Sequence, residues 1–175
     1  IAKGYALDEA LDVLRKRGLP AAFIACGGDL RAGDPPPGKR GWQVELESVD
    51  ASGTRAVEKL FLARGALASS GDLFQFAEIN GVRYSHIVDP RTGYGITNRS
   101  LVHILAPDLT TADSLATAVS VLGPDAGIRL LESRRNVDGR VQCAVGPAVE
   151  IRESPGFARR LRFAPQDGVR AATGR

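Results

Sequence analysis

The sequence predicts an α+β fold with a mostly antiparallel sheet flanked by helices. Strand-like segments follow one another in groups that helix-like segments separate, which is not the pattern of a doubly wound α/β protein. Asn80-Gly81 separates two short strand-like runs, the strongest short-range signal for a hairpin, because both turn positions need positive φ. With 175 residues, 43% of them hydrophobic and 25% charged, the chain suits a single globular domain, 1–175, with a buried core.

The first part of the chain predicts a helix, a strand and a loop. Residues 2–17 carry apolar side chains at helical spacing, and Gly18 and Pro20 end the run. A short apolar strand is expected at 21–26. The prolines within 33–38 exclude both a helix and a central strand, so that stretch is expected to be a surface loop.

The middle of the chain predicts a series of strands. Residues 42–47 alternate apolar and polar side chains, which is the period of a strand with one solvated face. The further strands are expected at 56–62, 66–70, 76–79 and 82–85.

The remaining sequence predicts two helices between strands. An apolar strand at 101–106 precedes a helix for which Thr110 is the expected N-cap, with Asp113 three residues later as in a capping box. Gly123-Pro124 ends this helix. The elements expected after it are a helix at 125–132 and strands at 140–145 and 148–152.

Composition and charge exclude several classes of protein. Lys and Arg number 23 and Asp and Glu 20, and the resulting net charge of +3 is too mild to indicate nucleic-acid binding. No apolar run approaches the roughly 20 residues that span a bilayer. The chain begins at Ile1 within a helical pattern, so we expect it to be part of a longer protein, with any targeting signal upstream.

Two cysteines and one of the two histidines are expected to be structural. Cys26 and Cys143 match no metal-binding or CxxC spacing, and both lie in apolar runs, so both are expected in the core rather than in a disulfide. His103 lies inside the apolar run 101–106 and is expected to be buried.

Three segments carry groups that suit a ligand. Lys3-Gly4 in the first turn of a helix suits an anion, although an ordinary exposed lysine is the alternative. Gly27-Gly28-Asp29 follows an apolar strand and either lets a ligand approach the backbone or forms a plain tight turn. His86 stands at a strand end and precedes the polar stretch 89–93, where binding groups commonly gather.

A fourth segment suits a metal ion. Asp113 and Thr117 are spaced i, i+4, so their oxygens lie on one helix face, one turn apart. A carboxylate and a hydroxyl in that arrangement can share Mg²⁺, which prefers oxygen ligands and keeps some of them for phosphate. The alternative is structural, with Asp113 completing the helix cap and Thr117 bonding to the Asp113 carbonyl.

These segments occur in a fixed order that resembles a known family. The matching stretches are Ile1-Ala2-Lys3-Gly4-Tyr5-Ala6, Gly27-Gly28-Asp29-Leu30, Ser70-Gly71-Asp72, the run at 84–93 and Thr111-Ala112-Asp113-Ser114-Leu115-Ala116-Thr117. In order and spacing, from Ile1 to about Phe157, they resemble the ApbE family of flavin transferases. The stretch from His86 to Gly93 and the Ala-Asp-x-x-x-Thr pattern are the specific parts of the match.

The resemblance implies an ApbE-like (T-fold-like) α+β domain and a reaction. Members of the family use Mg²⁺ to split the pyrophosphate of FAD, transfer FMN to a Thr or Ser hydroxyl of an acceptor flavoprotein and release AMP. Some instead hydrolyse FAD to FMN and AMP. Members are typically exported and often lipid-anchored in bacteria. The implied location is therefore the cell envelope, on the periplasmic side of the inner membrane, with an anchor outside this chain.

The resemblance also assigns roles to residues. Asp113 and Thr117 match the Mg²⁺ ligands, whereas Lys3 and the Gly27-Gly28 pair match contacts to FAD. His86 matches the histidine beside the flavin and is expected to be both a cofactor-binding and a catalytic residue. Asp113 is expected to have a second, catalytic role by taking the proton of the attacking hydroxyl.

Part of the family pattern lies outside this chain. The family carries Asp-Leu-Gly-x just before the stretch that matches Ile1-Ala2-Lys3-Gly4, and those residues supply a further Mg²⁺ ligand and an FAD contact. We therefore expect the chain to be the C-terminal part of a flavin transferase. Two alternatives stay open at this point, an FAD pyrophosphatase and a non-catalytic flavin-binding module.

Overall fold

A computed structural model describes residues 1–50, 54–71, 76–146, 148–162 and 170–171. It confirms the predicted α+β class, because helices flank a sheet whose strand pairs are all antiparallel in the described ranges. The elements are α1 (Ala2–Lys16), β1 (Phe23–Cys26), β2 (Asp29–Ala32), β3 (Trp42–Val49), β4 (Arg55–Leu62), β5 (Gly65–Gly71), β6 (Phe76–Ile79), β7 (Val82–Ser85), β8 (Ser100–Ala106), α2 (Leu109–Leu122), α3 (Pro124–Glu132), β9 (Asp138–Val145), β10 (Ala148–Glu153), α4 (Pro155–Arg162) and β11 (Arg170–Ala171).

The central layer is a six-stranded sheet in the order β1-β2-β5-β8-β9-β10, and the described strands also form a three-stranded sheet, β11-β4-β3, and the hairpin β6-β7. Alternation along β5 separates two cores. Ala66 and Ala68 pack with residues of α1, α2 and α3, whereas Leu67 between them packs with β3, β4 and Phe157 of α4. Helices α1, α2 and α3 therefore cover one face of the central sheet, and the three-stranded sheet and α4 cover the other.

The N-terminal turns of α1 and α2 are in direct contact. A Cβ atom on Gly4 would lie 2.5 Å from the carbonyl oxygen of Leu109, so only glycine fits there. The Asp8 carboxylate accepts hydrogen bonds from the backbone N–H of Leu109 (3.0 Å) and of Thr110 (2.8 Å). Burial would raise the pKa of Asp8, but these bonds and the Arg31 charge lower it below its ordinary value.

The predicted capping box of α2 is wrong. The helix begins at Leu109, and its N-cap is Asp108, whose carboxylate accepts from the N–H of Thr111 at 2.7 Å. The Thr110 hydroxyl instead donates to Asp8 (2.7 Å), and Asp113 accepts from the Gly4 N–H of α1 (3.0 Å). Both expected cap residues thus bond to the neighbouring helix.

Three elements were not predicted, and several others begin one or two residues away from the expected position. The sequence pattern predicts no strand at β2, no helix at α4 and no strand at β11. The strand expected at 21–26 begins at Phe23, and the helix expected at 125–132 begins at Pro124, a favoured first residue because it needs no N–H partner. The loop at 33–38 is confirmed.

The cysteine prediction is correct for Cys143, which is buried, and wrong for Cys26, which is exposed. The reason is that β1 is an edge strand whose second half is open to solvent. Cys26 and Cys143, both within the described residues, form no disulfide. No helix among the described residues is long and apolar enough to cross a bilayer.

His103 is buried between the two larger sheets, as expected, with 1% of its surface exposed. Its Nε2 lies 2.7 Å from the Glu47 carbonyl oxygen, which can only accept, so Nε2 carries the proton. The Ser69 hydroxyl, 2.9 Å away, then donates to Nδ1 of the neutral ring. Burial is the main cause that lowers the pKa of His103 to about 4.

We expect His103 to make stability depend on pH between about 6.5 and about 4. The unfolded chain binds a proton at His103 in this range and the folded chain does not, so stability is retained above the unfolded pKa and falls as the pH drops. The loss attributable to His103 is about 2 kcal/mol between pH 7 and pH 5. Urea unfolding of the wild type and of His103→Gln at both pH values measures it. Equal losses in the two proteins would contradict the expectation.

Candidate functional site

A cleft of about 450 Å³ lies where α1, α2, the β1–β2 turn and the end of β5 meet. It brings together five of the residues that the sequence singled out, Lys3, Gly27, His86, Asp113 and Thr117. These residues come from positions spread over more than a hundred residues of sequence. Gly28 is not among the residues that line the cleft.

The Lys3 ammonium is held by a buried carboxylate. Its Nζ lies 2.7 Å from Oδ2 of Asp29, whose side chain is 2% exposed. The other oxygen of Asp29 accepts from the backbone N–H of Ser69 at 3.2 Å. The hydrogen bond to Asp29 raises the pKa of Lys3 against the opposing effect of burial. Lys3 therefore stays protonated and presents a positive charge at the cleft.

Gly27-Gly28 is a two-residue hairpin turn between β1 and β2. The φ values of +56° and +87° are the left-handed values that such a turn requires, which explains glycine at both positions. A Cβ atom at Gly27 would lie 3.6 Å from the Lys3 Nζ, an ordinary van der Waals contact, so the turn conformation and not crowding requires glycine there. The turn is thus a plain tight turn, and one of its residues also forms the cleft wall.

Asp113 and Thr117 lie on the cleft side of α2. Asp113 Oδ2 accepts a hydrogen bond from the backbone N–H of Gly4 at 3.0 Å. The Thr117 hydroxyl donates to the Asp113 carbonyl at 3.4 Å, as the structural alternative expected.

Asp113 and Thr117 supply a carboxylate oxygen and a hydroxyl oxygen, the donor types that could hold a magnesium ion. No group of three or more His, Cys, Asp and Glu side chains forms a metal cage within the described ranges. Magnesium does not need one, because it commonly uses one or two protein oxygens together with substrate phosphates and water. The Asp113 carboxylate has four lone-pair positions, so the bond at Oδ2 does not exhaust it.

His86 follows β7 and begins a loop whose two ends are joined by backbone hydrogen bonds. The Ser85 N–H donates to the Ile96 carbonyl and the Ile96 N–H to the Ile87 carbonyl, both at 2.9 Å. A Cβ atom on Gly95 would overlap the Ser85 carbonyl oxygen, so the loop crosses β7 closely only because Gly95 has no side chain. These bonds place His86 at the cleft.

Sequence reasoning missed several residues that build the site. Asp8 orients α2 by accepting hydrogen bonds from its N-terminus. Its i, i+4 spacing from Gly4 places both residues on one face of α1, and this was the signal in the sequence that could have identified it. Asp29 was noted as a ligand or turn residue, but not as the partner of Lys3. Ser70 and Gly71 line the cleft, whereas Asp72 of the same motif lies outside the described residues.

Comparison with known proteins identifies the family. The sequence model of the ApbE family matches residues 1–141. The chain belongs to the ApbE family. Two relatives with the name FAD:protein FMN transferase are those of Haemophilus influenzae, 36% identical over 134 residues, and Treponema pallidum, 32% identical over 171 residues. The chain aligns over 75% and 93% of its length with them, and covers 39% and 46% of theirs.

Solved ApbE structures have the same fold. The flavin transferase ApbE from Vibrio cholerae superposes with a TM-score of 0.80 at 30% identity, over 92% of this chain and 51% of that one. The apo form of the flavinyl transferase ApbE from Pseudomonas stutzeri gives 0.77 at 27% identity, over 94% and 51%. The chain thus spans about half the length of the relatives it matches.

We expect Gly4→Ala to destabilise the protein by about 2 kcal/mol, although alanine normally stabilises a helix relative to glycine. The added Cβ would meet the backbone of Leu109 and Thr110, which cannot move aside without separating α1 from α2. Urea unfolding measures the change, with Ala6→Ser on the exposed side of α1 as the control. A Gly4→Ala protein as stable as the wild type would show that the helices do not need this close contact.

Proposed function

We propose that this chain carries the catalytic cleft of an FAD:protein FMN transferase. In the proposed reaction, FMN passes from FAD to a Ser or Thr hydroxyl of an acceptor flavoprotein, AMP is released, and Mg²⁺ is required. The observation that carries the proposal is one cleft that contains a protonated lysine, a carboxylate and a hydroxyl in a chain of the ApbE family. The name of the relatives supports FAD as the donor and a protein as the acceptor.

The charges of the cleft suit a pyrophosphate. Transfer of a phosphoryl group depends mainly on positioning and on neutralising negative charge. The Lys3 ammonium uses one of its three N–H groups on Asp29, so two remain that can donate to phosphate oxygens in the cleft. Asp113 and Thr117 would hold Mg²⁺, which when bound neutralises charge on the phosphates.

The transfer makes one P–O bond and breaks another. The acceptor oxygen bonds to the phosphorus on the FMN side, and the bridging oxygen leaves with AMP. The hydroxyl proton must pass to a base, and His86 and Asp113 are the candidates in the cleft. We propose that Asp113 binds the cation, and we keep both His86 and Asp113 as candidate bases for the hydroxyl proton.

Two other activities use the same cleft. An FAD pyrophosphatase differs only in the nucleophile, which is water instead of a protein hydroxyl. A non-catalytic flavin-binding module would bind FAD without consuming it. We place the transferase first because the relatives carry that name. We also propose, on the family resemblance, that the protein acts at the periplasmic side of the inner membrane, anchored through residues outside this chain.

The first test is transfer of FMN to a peptide that contains Ser-Gly-Ala-Thr. We expect mass spectrometry to find one added FMN after incubation with the chain, FAD and Mg²⁺. The adduct should disappear without Mg²⁺ and fall at least about 100-fold in Asp113→Ala, because a metal ligand is lost. Asp12→Ala, which removes an exposed carboxylate of α1, is the control and should keep full activity.

The products separate the alternatives. Free FMN and AMP without an adduct would replace the transferase with a pyrophosphatase. Bound FAD with neither product would replace it with a binding module.

The second test concerns Lys3. We expect Lys3→Met to weaken FAD binding about tenfold, because a charge-assisted hydrogen bond is lost. The substitution also leaves Asp29 buried without its partner, so the protein should become less stable. Quenching of flavin fluorescence measures the affinity, and Lys16→Met at the far end of α1 is the control.

A double variant separates the two effects of that substitution. Lys3→Met with Asp29→Asn should recover stability, because no charge stays buried, but should not recover FAD affinity. Recovery of both would show that Lys3 only supports the fold.

A further inference from the structure

A second cavity of about 430 Å³ lies beside the cleft, within the loop that follows β7. Two tyrosine rings, Tyr84 and Tyr94, form part of its wall, and Tyr94 is 70% exposed. Thr92, Thr97 and Asn98 also line it. The Thr92 hydroxyl already accepts from the Tyr94 N–H at 3.2 Å, while the Asn98 amide lies 4.0 Å from Cys143 Sγ. The proposed reaction assigns no role to this cavity.

Two elements connect the second cavity to the cleft. Tyr84 of β7 lines the second cavity, and His86, the residue that follows β7, lines the cleft. On α2, Thr117 lines the cleft and Val121 lines the second cavity, one helical turn or about 6 Å further on. The two cavities are therefore neighbours along both β7 and α2.

The charges of the second cavity do not suit a phosphate. Among the described residues that line it, Asp89 and Arg91 are the charged pair. The Arg91 guanidinium donates to both oxygens of Asp89, from Nε at 2.9 Å and from Nη2 at 2.7 Å. The pair carries no net charge, so an anion such as the FAD pyrophosphate gains little here.

The remaining groups suit a polypeptide. Tyrosine rings offer a large contact surface at a low cost in side-chain entropy, and Thr and Asn side chains form adaptable hydrogen bonds. A polypeptide backbone supplies both N–H donors and C=O acceptors for those groups. The loop needs little ordering on binding, because Asp89 N–H already donates to the Tyr94 carbonyl at 2.9 Å.

We propose that the second cavity binds the acceptor polypeptide next to its reactive Ser or Thr. This inference rests on the proposed function and names the surface that selects the protein substrate. With the backbone of the acceptor held between Tyr84 and Tyr94, the reactive side chain extends past His86 into the cleft. The surface selects a polypeptide by its backbone and small side chains rather than by charge.

The test measures peptide binding separately from flavin chemistry. A fluorescein-labelled Ser-Gly-Ala-Thr peptide is titrated with the chain, and anisotropy gives its affinity. We expect Tyr94→Ala to weaken peptide binding about tenfold, as truncation of a tyrosine at the centre of an interface does. Tyr94→Phe, which keeps the ring, should retain most of the affinity. FAD affinity, followed by flavin fluorescence, should not change in Tyr94→Ala.

The control is Leu19→Ala, which removes another exposed apolar side chain that lines neither cavity. Two results would overturn this inference. Tyr94→Ala would bind the peptide as tightly as Leu19→Ala does, or the wild type would not bind the peptide. Peptide binding that depends on Tyr94, together with no FMN transfer, would overturn the proposed function and leave the polypeptide site standing.

Discussion

The site depends on a reciprocal contact between two helix N-termini. Asp8 of α1 accepts the first free N–H groups of α2, and Asp113 of α2 accepts the Gly4 N–H of α1. Each helix thereby receives a carboxylate at the end where its dipole and unpaired N–H groups favour negative charge. Gly4 allows the approach that both bonds require. Because Lys3 precedes Gly4 and Thr117 is one turn beyond Asp113, the same contact sets the separation of the main groups in the cleft.

Behind the cleft, polar contacts continue through the sheet. Lys3 bonds to Asp29, which accepts from the Ser69 backbone, and the Ser69 hydroxyl donates to His103. His103 in turn donates to the Glu47 carbonyl of the second sheet. Each buried polar group of this series is paired, which the low polarity of the surroundings requires. A side chain that the sequence marks as structural is therefore connected to the lysine at the cleft.

The periodicity of apolar residues and the local turn signals correctly predicted the elements that short stretches of sequence determine. The helical spacing in α1, the alternation in β3 and the Asn80-Gly81 turn each act within a few residues, and the structure confirms them. The i, i+4 spacing likewise placed Asp113 and Thr117 on one face of α2 that opens on the cleft. Features that involve distant partners were missed. The cap of α2 was misassigned because Thr110 bonds to Asp8, about a hundred residues earlier.

The strand β2 was not predicted because two of its residues are charged and buried. Asp29 and Arg31 are polar in sequence, yet both are buried in β2, because Lys3 and Asp8 of α1 neutralise them. A pattern of apolar residues cannot identify a strand whose charges are paired by another element. The prediction that Cys26 is buried was wrong for the opposite reason. Its apolar run forms an edge strand, and part of the surface of an edge strand stays exposed to solvent. Which strand lies at an edge is a property of the whole sheet.

The close crossing of Gly95 over Ser85 has a kinetic consequence. With its bonds to Ile96 and Tyr94, the loop that carries His86 and Tyr94 is already in place before any ligand arrives. It is therefore not built as a lid that must open and close with each turnover. Encounter with a ligand would then be limited by diffusion and by the removal of water, and not by a slow rearrangement of the chain.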